Sequence, residues 1–185
     1  MDDDRLLVAA AAEGDTAAFE TLVRRHQTRL VGYLRGLTNA DADAEDLAQE
    51  AFLRAYRSLK GFRGTSSFRT WLYQIATNVF RTWLEKKRSH AGLSAVSLDA
   101  PAPGSDEPMD PAGETNPEAR HVDRDAIDRA LAQLPADQRE AVLLRDVEGF
   151  DYQEIAVQMD VPLGTVESRI FRGRQRLREL LRTLR

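Results

Sequence analysis

Residues 91–120 constrain the fold of this chain more than any other segment. Pro101, Pro103, Pro108, Pro111 and Pro117 stand there among Gly, Ser and acidic residues, with few large apolar side chains and no periodicity. Such a stretch cannot bury enough apolar surface to offset the entropy of ordering it, so it reads as a flexible linker. The expected organisation is a domain at 1–90, a linker at 91–120 and a smaller domain at 121–185. Each is large enough to be a small folding unit.

Both halves read as all helix. Phe19, Leu22, Val23, His26, Leu30 and Leu34 recur at helical spacing, and His26 on that stripe reads as a packed core histidine. Ala44, Leu47, Ala48, Ala51, Phe52, Ala55, Tyr56 and Leu59 make a second stripe on a helix at 43–60. Trp71, Leu72, Ile75, Val79 and Trp83 make a third. After the linker, Val122, Ala126, Ile127, Ala130 and Leu131 lead to a helix from Pro135 that carries Val142 and Leu143. Strand-type alternation is absent from the sequence.

The net charge of −4 hides two basic patches. Residues 60–88 carry seven Lys and Arg against Glu85 alone, and residues 165–185 carry seven Arg against Glu167 and Glu179. Residues 91–123 carry seven acids against Arg120. Local sign decides where phosphate can bind, so the two patches are candidate nucleic-acid surfaces.

The second patch has a shape. Asp151 and Glu154 have capping-box spacing at the start of a short helix with Ile155 and Met159 facing inward. A turn at 161–164 follows, then a helix whose first turn tolerates Pro162. Val166, Ile170, Gly173 and Leu177 form its apolar stripe, and Thr165, Ser168, Arg169, Arg172 and Arg176 fall away from it. Such a helix-turn-helix can lie in the major groove, where guanidinium groups fork onto guanine or grip phosphate. An ordinary helical hairpin with a solvated basic face is the alternative.

The first patch nearly coincides with an aromatic cluster: Phe62, Phe68, Trp71, Tyr73, Phe80 and Trp83. Rings beside cations suit unpaired bases, which need stacking for the base and charge for the backbone. Trp71 and Trp83 read as core. Tyr73 lies about 160–200° around the helix from Trp71 and Ile75 at 100° per residue, which places it off their buried face. Asn78, poor in mid-helix, has an amide that can read a base edge. Asp41, Asp43, Glu45, Asp46 and Glu50 crowd a helix start, with Asp43 a possible cap and a basic protein partner a second explanation.

The chain has no cysteine, glycine-rich phosphate loop or histidine–carboxylate constellation, so an enzyme fits worst, and no cofactor is expected. No apolar run approaches the roughly 18 residues of a membrane span, and the acidic start is unlike a signal peptide, so a cytoplasmic location is expected. A dimeric helix-turn-helix regulator and a helical adaptor remain as rival classes. The first leaves the aromatic cluster unused and the second leaves the Arg-rich helix unused.

The chain resembles the extracytoplasmic-function (group IV) sigma factors over nearly its full length, and most of all their envelope-stress branch. Asp46-Leu47-Ala48-Gln49-Glu50-Ala51-Phe52 resembles region 2.2 of that family. Gly61-Phe62-Arg63-Gly64, Ser67-Phe68, Thr70-Trp71-Leu72-Tyr73, Ile75-Ala76 and Asn78 resemble regions 2.3–2.4. Leu134-Pro135, Gly149, Tyr152, Glu154-Ile155-Ala156, Gly164-Thr165-Val166 and Ser168-Arg169-Ile170-Phe171-Arg172 resemble region 4.

The resemblance implies an all-α protein of two small domains, a region 2 bundle and a region 4 helix-turn-helix. It implies a non-catalytic protein that binds core RNA polymerase, through the β′ clamp helices and the β subunit, and directs it to promoters. Asp46, Gln49 and Glu50 would hold polymerase. Phe62, Tyr73, Ile75, Ala76 and Asn78 would read and melt the −10 element. Thr165, Ser168, Arg169, Phe171, Arg172 and Arg176 would read the −35 element. An anti-sigma factor is the further implied partner, and no small-molecule substrate is implied. Glu167 departs from the family, whose close members often carry Arg there; an acid repels phosphate or accepts from a cytosine amino group. Thr77 and Val79-Phe80 also depart. The charge layout further predicts that the two domains pack together through the basic patches and the acidic linker.

Overall fold

A computed structural model describes residues 4–90 and 124–183. The proposed linker at 91–120, and Val122, lie outside them. Every regular element among the described residues is helical, as expected. Four helices form the N-terminal half: α1 (Asp4–Ala12), α2 (Thr16–Thr38), α3 (Asp41–Ser58) and α4 (Phe68–His90). The C-terminal half has α5 (Arg124–Ala132), α6 (Ala136–Val142) running into a π-turn at Leu143–Val147, α7 (Tyr152–Met159) and α8 (Leu163–Thr183).

Local chemistry sets the boundaries. Asp15 caps α2 by accepting from the Ala17 and Ala18 amides, and Asn39 ends it in the left-handed conformation that its short polar side chain tolerates. Ser67 Oγ accepts from the Thr70 amide at 3.0 Å and opens α4. Asp151 and Glu154 form the expected capping box on α7. Asp43 does not cap α3: the helix starts two residues earlier, after Ala40, and Asp43 sits inside its first turn.

α2, α3 and α4 pack around Leu22, Leu30, Leu34, Ala48, Ala51 and Leu72. In the other half α8 lies on α6 over Val166 and Ile170. Gly173 makes that crossing possible, since a Cβ there would stand 2.6 Å from Val142 Cγ2. His26 is only partly buried, because its Nε2 pairs with Asp4 Oδ2 at 2.7 Å and fastens α1 to α2.

The third stripe is rotated from its expected position. Leu72 and Val79 are buried, but Trp71, Ile75 and Trp83 are only half-buried, while Tyr73 is 1% exposed. The apolar period assumed one covered face. α4 is in fact covered on two sides, by α2 and α3 on one and by α7 on the other, so the buried arc is wider and centred elsewhere.

Candidate nucleic-acid interface

The two halves share one continuous core. Tyr73 packs edge-on against Phe150 at 5.0 Å between ring centres and against Tyr33 at 5.2 Å. Gly36 of α2 lets Leu143 come within 2.9 Å of where a Cβ would stand. Arg139 of α6 reaches across to donate to the Leu37 carbonyl at 2.9 Å, and also to the Ala132 and Leu134 carbonyls that end α5.

Around this core lies a ring of polar contacts. Each pairs a residue of α4 with the loop or helices of the C-terminal half. The Tyr73 hydroxyl donates to Glu148 Oε2 at 2.7 Å, and Arg69 Nη2 pairs with the same oxygen at 3.3 Å. Arg69 also donates to the Glu148 carbonyl and lies 4.1 Å from the centre of the Phe150 ring. Thr70 donates to Glu154 Oε1 at 2.9 Å, so the carboxylate that caps α7 also holds α4. Arg81 donates to Glu140 Oε1 at 3.2 Å and to the Met159 carbonyl at 3.1 Å.

Burial dominates the electrostatics here. It raises the Tyr73 phenol well above its ordinary range, and the Glu148 carboxylate raises it further. Glu140 is buried against Arg81 with Arg169 and Asp137 nearby; desolvation outweighs the two guanidiniums and lifts its carboxyl from 4.5 to about 7.

The expected packing of the halves is therefore present among the described residues, but its acids are Glu140, Glu148 and Glu154 of the C-terminal half. The linker acids lie outside those residues. The five residues assigned to the −10 element divide. Asn78 is exposed, Ile75 half-buried, and Phe62 packs at a tilt against Trp71, 4.7 Å between ring centres, on the same side of α4. Tyr73 and Ala76 point the opposite way and are buried. Tyr73 does lie off the face of Trp71 and Ile75, as expected, but it is not thereby exposed: that turn puts it onto the face that α7 covers.

The residues of α8 divide less sharply. Phe171 is 50% exposed, and Arg172 and Arg176 are exposed beside it. Ser168 donates to the Thr165 carbonyl at 2.9 Å, and both residues are half-buried near the helix start. Arg169 does not stand free on this face. Its position at the flank of the apolar stripe brings Nε to 3.1 Å from Asp137 Oδ2, and its side chain is 15% exposed.

Asp46 and Gln49 are exposed on α3, and Glu50 pairs with Arg54 at 2.7 Å one turn on. Sequence reasoning missed the groove beside them. Phe19, Val23, Val31, Phe52, Leu53 and Tyr56 line about 570 Å³ between α2 and α3, with Glu45 and Gln49 among the residues around it. The signal was the stripe on α3: Tyr56 belongs to it yet stays 43% exposed, its ring against Phe19 at 4.9 Å.

Residues 22–90 match the family model of sigma-70 region 2, and residues 124–177 match that of sigma-70 region 4. The RNA polymerase sigma-H factor of Pseudomonas aeruginosa is 38% identical over all of this chain and 96% of its own length. The chain belongs to the extracytoplasmic-function sigma factors of the sigma-70 family. The sigma-E factor of Escherichia coli is likewise 38% identical, over 93% of this chain and 91% of its own. Among solved structures, the sigma factor RpoE of Bartonella quintana, in complex with the anti-sigma factor NepR, superposes with a TM-score of 0.70 at 29% identity. That match covers 90% of this chain and 98% of the other. CnrH in complex with the cytosolic domain of CnrY gives 0.70 at 26% identity, covering 97% of each chain. This sigma factor binds core RNA polymerase and promoter DNA and directs promoter-specific initiation of transcription. Among its described residues no helix is long and apolar enough to cross a membrane.

Proposed function

We propose that this sigma factor holds promoter DNA at two faces that work in different states of the molecule. One observation carries the reading: Tyr73, assigned to −10 melting, is sealed under Glu148 of the other half, whereas Phe171, Arg172 and Arg176 of α8 are open. In the packed state α8 can meet duplex DNA. Separation of the halves, on polymerase, frees Arg69, Tyr73 and Arg81, so that both sides of α4, the other carrying Asn78, Ile75 and Phe62, are open to the unpaired −10 strand. Stacking at roughly 1–3 kcal/mol per base offsets the few kcal/mol of extruding one.

On the −35 side, Thr165 and Ser168 approach base edges at the start of α8, and Arg172 and Arg176 supply forked donors. Arg169 joins them by exchanging Asp137 for the duplex. Asp46, Gln49 and Glu50 hold the β′ clamp helices, with the adjoining groove taking apolar side chains of the same partner, and the C-terminal half touches the β subunit. The unit boundaries are 1–90, 91–120 and 121–185. The protein works in the cytoplasm without catalysis of its own. An anti-sigma factor restrains it: the Bartonella sigma factor was solved with such a partner, and the packed arrangement of the two halves suits a clamp across both.

The test is run-off transcription with purified protein and core polymerase free of other sigma factors, on pooled promoter fragments. Discrete transcripts that depend on this protein, with matching −10 and −35 sequences upstream, support the reading. Transcripts that Tyr73→Ala and Asn78→Ala leave unaltered would refute the assignment of α4 to the −10 strand.

A further inference from the structure

Glu167 is the one acid in the first four turns of α8, where every other charged residue from 163 to 178 is Arg. On a helix that meets phosphates, a carboxylate works against binding. The packed structure gives it no other task. It is half-buried and forms no hydrogen bond or ion pair with a described residue. Its neighbours three and four positions away are Leu163, Gly164, Ile170 and Phe171, so no ion pair along the helix is available. It stands beyond the first turn, where the helix dipole would favour it.

Several other acids of this half differ. Asp137, Glu140, Asp146, Glu148 and Glu154 each hold an Arg, Tyr or Thr, and Asp151 caps α7. Glu179 has Arg176 and Arg182 three residues away on either side.

We infer that Glu167 reads a base: its carboxylate accepts a hydrogen bond from the exocyclic amino group of a cytosine in the −35 major groove. The inference rests on the assignment of α8 to the −35 element. N-terminal residues of a recognition helix face base edges, and Glu167 is the fifth residue of α8. Two groups donate in the major groove, cytosine N4 and adenine N6. Adenine sets its N7 lone pair beside N6, which repels a carboxylate that has no proton to offer; cytosine presents no such acceptor on its own ring. Phe171 stands one turn further along the same ridge and, half exposed, can lie against a thymine methyl. The two side chains then read neighbouring positions, one by hydrogen bonding and one by apolar contact.

The experiment is transcription by reconstituted holoenzyme on a promoter library randomised across the −35 element, with the transcripts sequenced. Wild type, Glu167→Ala, Glu167→Gln and Arg172→Ala are compared. Glu167→Ala is expected to lose about tenfold preference for C·G at a single position and to keep the others. Glu167→Gln is expected to move that position towards adenine, which an amide can meet with both donor and acceptor. Equal gain on all −35 sequences, or no change, would mean the carboxylate is only a surface charge and would overturn the inference. Arg172→Ala separates the two readings. If it alters a −35 preference and the Glu167 variants do not, Glu167 alone fails; if no variant alters any preference, the assignment of α8 fails and the inference with it.

Discussion

α4 and α8 are two long basic helices of this protein, of 23 and 21 residues, and they hold some of their cations in opposite ways. Arg69 and Arg81 of α4 turn inward across the junction between the halves onto Glu148 and Glu140, whose side chains are 4% and 6% exposed. Arg172 and Arg176 of α8 turn outward. The difference teaches that basic residues on a helix do not by themselves make a nucleic-acid surface. Which cations are available depends on what covers the helix, and in α4 the cover is the other half of the same chain.

The contrast breaks most strongly at Glu148. Glu148→Ala leaves the half-buried Arg69 and the buried Tyr73 hydroxyl without their shared acceptor, a loss of about 3 kcal/mol in packing free energy. Fluorescence transfer between probes on the two halves should show them apart, and an unchanged distance would mean that the apolar core and Arg139 suffice to hold them. Glu140 gives a somewhat smaller effect with a defined pH dependence. Packed, it binds its proton up to about pH 7; exposed, it releases it near 4.5. The packed state therefore holds the extra proton between those values, and packing weakens as pH rises through the window, then levels off. The full shift corresponds to roughly 3 kcal/mol, of which somewhat less falls between pH 5 and pH 8. Glu140→Gln should flatten the difference in packing between pH 5 and pH 8 and leave the variant the tighter of the two at pH 8.

Asn78 sharpens the comparison from the open side of α4. Asn78→Ala should leave packing and polymerase binding unchanged while open-complex formation falls about tenfold, the order of one base contact. Equal loss of polymerase binding would mark it as structural. The smallest effect belongs to Arg174 and Asp146, whose side chains are 41% and 35% exposed. Asp146→Ala should cost less than about 1 kcal/mol in thermal unfolding, because water already screens such a pair.

Much of the fold could be read in the residues. The helix-turn-helix was legible because its signals are local: the capping box of Asp151 and Glu154, and the spacing of Val166, Ile170 and Gly173. The motifs around Asp46 and Asn78 led directly to the family. The face of α4 was not legible. Tyr73, Trp71 and Ile75 are all apolar enough for either side, and period alone does not say how many neighbours a helix has. Arg169 was misplaced for a related reason, since its flank position becomes an inner one only when Asp137 of α6 lies alongside. The groove of Phe19 and Tyr56 lies between two helices, and no single stripe reveals a gap between them.

The sequence by itself determined the helical class, the start of α7, the family and the two basic patches, because each is encoded by neighbours within a few turns or by a contiguous motif. Only the tertiary structure decided which members of those patches are presented and which are buried. Glu140, Glu148 and Glu154 lie roughly 60 to 85 residues from their partners on α4. Contacts over that separation leave no periodic trace in the chain; they exist only once two halves fold and close on each other.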